Sequence, residues 1–234
     1  MSKPDTSPED YKDILALNGS DGMPRILVGG HAVNVWAEHY LKEEPSLAEF
    51  MPFRSKDLDI LGTSSDLEDV ARKTGLKCER AENRTFIPSA GYLLMKHKSG
   101  EFVKVEILKR IYGVTSESLK ERASELVHQG IRIRVIDPLT LLRAKTENSV
   151  HLEQNKPGYE RQDVKHMQIM LIVAHAFLKD TIKAFLKSEI DARDVLSFHE
   201  EYLSFAKTET ARKAAAMYRK PRRCTKWIGK HLFQ

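Results

Sequence analysis

Glycine and proline divide this chain into two unlike parts, and that division narrows the folds open to it more than any other feature. Ten of the twelve glycines lie at or before Gly130, none occurs from Tyr159 to Ile228, and no proline lies between Pro157 and Pro221. Residues that interrupt regular structure therefore cut the first part into short pieces suited to strands and turns, and are missing from a second part that can run as long helices. The pattern predicts a mixed α/β (α+β) unit over 1–136 followed by a helical unit over 137–234. With 234 residues, 41% of them hydrophobic, the chain can bury a core of its own.

Local patterns fill in this outline. The apolar run Ile26–Val28 stops at Gly29-Gly30, and helical spacing follows through Val33, Trp36, Ala37, Tyr40 and Leu41, which reads as strand, glycine turn, helix. In Asp57–Leu61, Leu58 and Ile60 alternate with Asp57 and Asp59, predicting a strand with both carboxylates on one face. Ser65, followed by Asp66 and Glu68, reads as the N-cap of a helix running to Thr74. The stretch Arg84–Lys96 suits two short strands. Phe102–Leu108 alternates again, with Val103, Val105 and Ile107 on one face and Lys104 and Glu106 on the other, and Ile131–Val135 is the last clear strand. Asp137 before Pro138 is a helix start, and Pro157-Gly158 breaks that helix. A strongly apolar helix containing His166 and His175, read as core or boundary residues, and at least two more helices follow.

Charge is unevenly spread. The chain as a whole carries +5, but from Phe205 to Gln234 nine basic residues face one acidic residue, so this end holds +8 and the first 204 residues −3. Within it, Arg219, Lys220, Arg222, Arg223 and Lys226 form a basic run suited to a phosphate-rich partner such as nucleic acid, the alternative being a solvated terminal helix. Two cysteines, Cys78 and Cys224, build neither a disulfide framework nor a zinc cluster. With no secretory leader and no long apolar span, the expectation is a cytoplasmic chain without membrane contact. Secreted, membrane-spanning and collagen-like classes are set aside.

The residues able to do chemistry are carboxylates on alternating strands. Asp57 and Asp59 share a face and Glu106 comes from another strand, an oxygen-only set of the kind that hard divalent cations prefer. Solvent-facing strand positions are also commonly acidic, so the pattern alone leaves both readings open. Gly29-Gly30, between strand and helix, either lets backbone N–H groups approach a phosphate or serves as a tight turn. Neither G-x-G-x-x-G nor the P-loop pattern occurs.

Together these features resemble the nucleotidyltransferase superfamily of the DNA polymerase β type, over Arg25 to Leu108. RSKDLDILG, Arg54–Gly62, is similar to the Arg-x-(Ser/Thr)-Lys-Asp-x-Asp segment of AbiEii-like nucleotidyltransferases. Lys145 stands in the place of that branch's helical lysine, and Arg161 with Asp163 resembles its Arg-x-(Lys)-Asp helix. Gln162 replaces a common lysine, and His31 follows Gly30 where many members carry a serine. His31 either donates to a phosphate or caps its helix.

The resemblance implies a small mixed sheet flanked by helices, with Asp57, Asp59 and Glu106 as catalytic, metal-holding residues for two Mg2+ ions. Gly29, Gly30, His31, Arg54, Lys145 and Asp163 would bind an NTP, and Arg54 and Lys56 would sit at the rim. The implied reaction moves a nucleotidyl group to an acceptor hydroxyl and releases pyrophosphate. The acceptor would be RNA, tRNA-like, and the setting a toxin or phage-defence system with an antitoxin protein. The alternatives are nucleotidylation of a small molecule such as an antibiotic, which calls for an acidic acceptor pocket, and a non-catalytic nucleotide- or RNA-binding regulator.

Overall fold

In the computed structural model, which describes residues 4–19, 21–81, 88–114, 119, 122–156 and 159–218, the apolar run Ile26–Val28 forms β1. It is buried throughout because it lies inside the sheet, with a strand on either side. Leu58–Leu61 forms β2, with Leu58 and Ile60 buried and Asp59 and Leu61 on the other face. Lys77–Arg80 is β3, Ser89–Lys96 β4, Phe102–Leu108 β5, Ser124–His128 β6 and Ile131–Val135 β7. Among the described residues these make one seven-stranded sheet in the order β3-β4-β5-β2-β1-β7-β6. β1 runs antiparallel to β2 and parallel to β7, and β2 runs parallel to β5. The chain is thus a mixed α/β protein, as its punctuation predicts.

Several local expectations are refined. The helix α3, Ser64–Thr74, is capped by Thr63, not Ser65: the Thr63 hydroxyl accepts from the Asp66 N–H while the Asp66 carboxylate accepts from the Thr63 N–H. Such a reciprocal pair satisfies two orphan donors at once, which a serine two residues later cannot do. Asp57 lies just before β2 instead of within it. The edge strands β3 and β6 carry charged residues and exposed positions, and so lack the apolar alternation that marks inner strands. Of Arg84–Lys96, residues 84–87 lie outside the described residues and 89–96 form the single strand β4.

The helices are α1 (Lys12–Leu15), α2 (Gly29–Tyr40), α3, α4 (Pro138–His151), α5 (Asp163–Leu186), α6 (Ala192–Ala206) and α7 (Glu209–Tyr218). α2 begins directly at Gly29, so the two glycines form its first turn. Asp137 caps α4 by accepting the N–H groups of Leu139 and Thr140 at 3.0 and 3.1 Å. α4 ends at His151 before a small hairpin of β8 (Asn155–Lys156) and β9 (Tyr159–Glu160); Pro157-Gly158 lies outside the described residues. One continuous buried cluster joins sheet and helices, from Leu27 and Ile60 to Met170 and Val173. Trp36 of α2 fixes the junction: its Nε1 donates to the Ile136 carbonyl at 2.9 Å, and its ring packs on Phe177 of α5. No described helix is long and apolar enough to cross a membrane.

Arg25, immediately before β1, is 6% exposed and donates to Asp66 and Asp69 of α3, both at 2.6 Å. Burial opposes ionisation of Asp66, but hydrogen bonds from the Thr63 N–H and from Arg25 outweigh it and hold its carboxyl below the usual range. Arg25→Ala should cost about 3 kcal/mol in urea unfolding at pH 7, the low end of the range for breaking a buried pair, since both carboxylates keep part of their hydration. Because the folded pKa of Asp66 is depressed, its contribution is present above the normal carboxylate range and lost as pH falls through the folded value. The variant should therefore lose less of its stability on acidification than the parent.

Candidate functional site

The register of the central strands assembles the carboxylates. Val28 pairs with Asp59 across β1 and β2, and Asp59 pairs with Glu106 across β2 and β5. Paired residues share a face, so Asp59 and Glu106 stand side by side opposite the buried Leu58, Ile60, Val105 and Ile107. Asp57, two residues before Asp59, lines the same pocket, which has a volume of about 380 Å³. Burial, then the charges of Glu106 and Asp57, push the Asp59 carboxyl up to about 7 despite the opposing Lys145 charge and a hydrogen bond from the Gly30 N–H.

The glycine turn is shaped around this carboxylate. Gly29 has φ +68°, and a Cβ there would lie 1.9 Å from Asp59 Oδ2. Only glycine allows both the backbone angle and the close approach. Asp59 thus receives one of the N–H groups at the start of α2, where a helix favours negative charge. At Gly30 a Cβ would lie 2.3 Å from Ser55 Oγ and 3.1 Å from His166 Cε1, so these side chains close over the turn.

α4 and α5 form the opposite wall. Lys145, 8% exposed, donates to Asp163 at 3.1 Å. Asp163 also accepts from Asn148 at 3.3 Å and from Arg161 at 2.6 Å. Burial works against the Asp163 charge, but Lys145 and Arg161 prevail and hold its carboxyl below the usual range. Ser55, Lys56, Arg110, Tyr112, Arg161, Gln162 and His166 also line the pocket.

Of the residues singled out in the sequence, the structure brings Asp57, Asp59, Glu106, Gly29, Gly30, Lys145 and Asp163 to this one pocket. His31 does not line it: its imidazole is fully buried against Tyr11 and hydrogen-bonded with Thr6 at 3.0 Å, and burial lowers its pKa to about 3. Arg54 is exposed and also lies outside the lining. The basic run at Arg219, Lys220, Arg222, Arg223 and Lys226 falls outside the described residues. Ser55, Arg110, Tyr112 and His166 join the pocket without having been assigned to a site from sequence. Ser55 sits inside the RSKDLDILG segment, and His166 lies three residues after Asp163 on one helix face.

Three carboxylates on one wall, one of them at odds with its own ionisation, have the donor chemistry for a hard divalent cation. Among the described residues no three His, Cys, Asp or Glu side chains are gathered closely enough to hold a metal ion.

No protein-family model matches the chain, and no curated protein matches it. The crystal structure of an antigenic nucleotidyltransferase-like protein from Paracoccidioides brasiliensis is similar over 97% of this chain and 95% of that one, with a TM-score of 0.53 and 13% identity. The crystal structure of the Megavirus polyadenylate synthase aligns with 70% of this chain and 30% of that one, with a TM-score of 0.41 and 15% identity. The first likeness shows that this chain shares the fold of that nucleotidyltransferase-like protein.

Gly29→Ala tests the close approach. Gly75 has a similar φ of +70° with open space around it, whereas Gly29 faces Asp59. Gly75→Ala should cost the ~1–2 kcal/mol of a left-handed alanine. Gly29→Ala should cost clearly more in the same thermal unfolding assay, because Asp59 must also move.

Proposed function

We propose that this chain is a metal-dependent nucleotidyltransferase that moves a nucleotidyl group from an NTP to an acceptor hydroxyl and releases pyrophosphate. The observation that carries this reading is the alignment of Asp59 with Glu106 beside a glycine turn and a buried lysine, in a fold shared with a nucleotidyltransferase-like protein. Asp57, Asp59 and Glu106 would hold Mg2+, two ions in the full site, which when bound would offset phosphate charge and make the acceptor hydroxyl more acidic.

The protein's own groups supply the rest. Lys145, kept in place by Asp163, contributes a positive charge to the wall facing the carboxylates and can meet the triphosphate as a point charge. Arg161 orients Asp163 from its other oxygen. Glu106 comes from β5, a different strand than Asp59, so it can receive the acceptor's proton while the α-phosphate is attacked. Catalysis on this reading is mostly positioning and charge compensation.

The acceptor we favour is RNA, tRNA-like, in an AbiEii-like toxin or phage-defence enzyme kept in check by an antitoxin protein. Its supports are the RSKDLDILG segment and the +8 charge after Ser204.

Purified protein with each labelled NTP, magnesium and total RNA should place label on RNA and release pyrophosphate. Asp57→Ala and Asp59→Ala should each lower turnover at least about 100-fold while the far-ultraviolet circular dichroism is kept; full activity in both would overturn the assignment. Truncation after Tyr218, which preserves the hydrogen bond from its hydroxyl to the Ser149 carbonyl, should weaken RNA binding. It should also flatten the salt dependence by roughly 0.7 in log–log slope for each phosphate the shortened chain no longer neutralises.

A further inference from the structure

His166 is 4% exposed, yet neither of its ring nitrogens has a hydrogen-bond partner among the described residues. A buried polar group left in this state costs stability and needs a reason. Its position supplies one. The imidazole lines the pocket, and Cε1 is the ring atom that packs closest on Gly30, 3.1 Å from where a Cβ would stand. Cε1 is bonded to both nitrogens, so the polar N–C–N edge of the ring is the edge turned to the glycine turn. Ser55 Oγ approaches the same point to 2.3 Å. An imidazole edge, a hydroxyl and the start of a twelve-residue helix thus meet at one spot in the pocket.

We propose that His166 and Ser55 are phosphate-contacting residues: His166 donates one ring N–H, and Ser55 its O–H, to phosphate oxygens of the nucleotide bound in this pocket. The inference rests on the nucleotide reading above and adds the residues that recognise the phosphate. Phosphate oxygens are strong acceptors, and such bonds are among the strong ones because the acceptor is charged. The Gly30 N–H is already engaged by Asp59, so side-chain donors are needed to supplement the backbone. Burial first, and then the nearby Lys145 charge, hold the imidazole well below its ordinary pKa. Before ligand binds, His166 is therefore held toward its neutral form. Its position beside Lys145 and Asp163 fits a positioning role and not proton transfer.

The test is binding of magnesium tripolyphosphate by calorimetry to the full chain and to His166→Phe, His166→Gln and Ser55→Ala. His166→Phe should weaken binding about 10- to 150-fold, the range for hydrogen bonds to charged groups. His166→Gln, which keeps an N–H, should restore much of it, and Ser55→Ala should lose about tenfold. Without ligand, His166→Phe should melt no lower than the parent, since it removes two unpartnered polar atoms; a merely structural histidine would give the opposite. In the unaltered protein, the His166 imidazole nitrogen resonances should shift on adding magnesium tripolyphosphate, a readout independent of any variant. Unchanged resonances, with the variants binding as tightly as the parent, would overturn the role of His166 and Ser55 and leave the nucleotide reading standing. A parent protein that binds neither magnesium tripolyphosphate nor any NTP would overturn both.

Discussion

The Asp59 carboxylate, pressed against a glycine turn on one side and a second carboxylate on the other, is the constraint around which the pocket is arranged. Three elements must agree for it to exist. β1 must end opposite Asp59, β5 must bring Glu106 into register with it, and residue 29 must lack a side chain. A slip of one residue in either strand pair would turn the acid into the packed face and an apolar residue into the pocket. The arrangement is unfavourable for the charges themselves, as the raised pKa of Asp59 shows. It persists because the same strands carry Leu58, Ile60, Val103, Val105 and Ile107 into a core with no solvent exposure, and that burial fixes the register. A site whose charges conflict until a ligand relieves them is characteristic of functional positions.

The helical part completes the pocket by bringing opposite charge to it. Lys145 lies on α4 among Leu141, Leu142 and Ala144, all buried, and its ammonium is tolerated there because Asp163 of α5 answers it. Asp163 is answered in turn by Arg161 and Asn148. The positive wall therefore depends on the packing of α4 against α5, and that pair is tied to the sheet through Trp36, Ile136 and Phe177. The catalytic reading consequently involves α4 and α5 as well as the sheet.

How much of this can be read from the sequence depends on the range over which each feature is decided. Alternation identifies β5 residue for residue and gives the body of β2, because which face is buried is written every second residue. Asp137-Pro138 gives the start of α4 for an equally local reason. The N-cap of α3 is less legible, since Thr63, Ser64 and Ser65 all carry hydroxyls and the choice is made by the geometry of Asp66. The edge strands β3 and β6 are hidden because one-sided exposure leaves them polar.

For the site, the residue types and spacing of Gly29, Gly30, Asp57, Asp59, Glu106 and Lys145 are chemical signals that a linear reading can collect. The chain itself determined the mixed α/β class, Asp59 on the open face of a strand and the glycines between strand and helix, because glycine, proline and alternating polarity act within a few residues. Only the tertiary structure decided that His31 is sealed behind Tyr11 and Thr6 while His166 lines the pocket with both nitrogens unpartnered among the described residues. Both histidines lie on helices with apolar neighbours, and nothing in their local sequence separates them. What separates them is which element packs on each: Thr6 and Tyr11, some 20 to 25 positions away, seal His31, whereas His166 closes over Gly30 from 136 positions away.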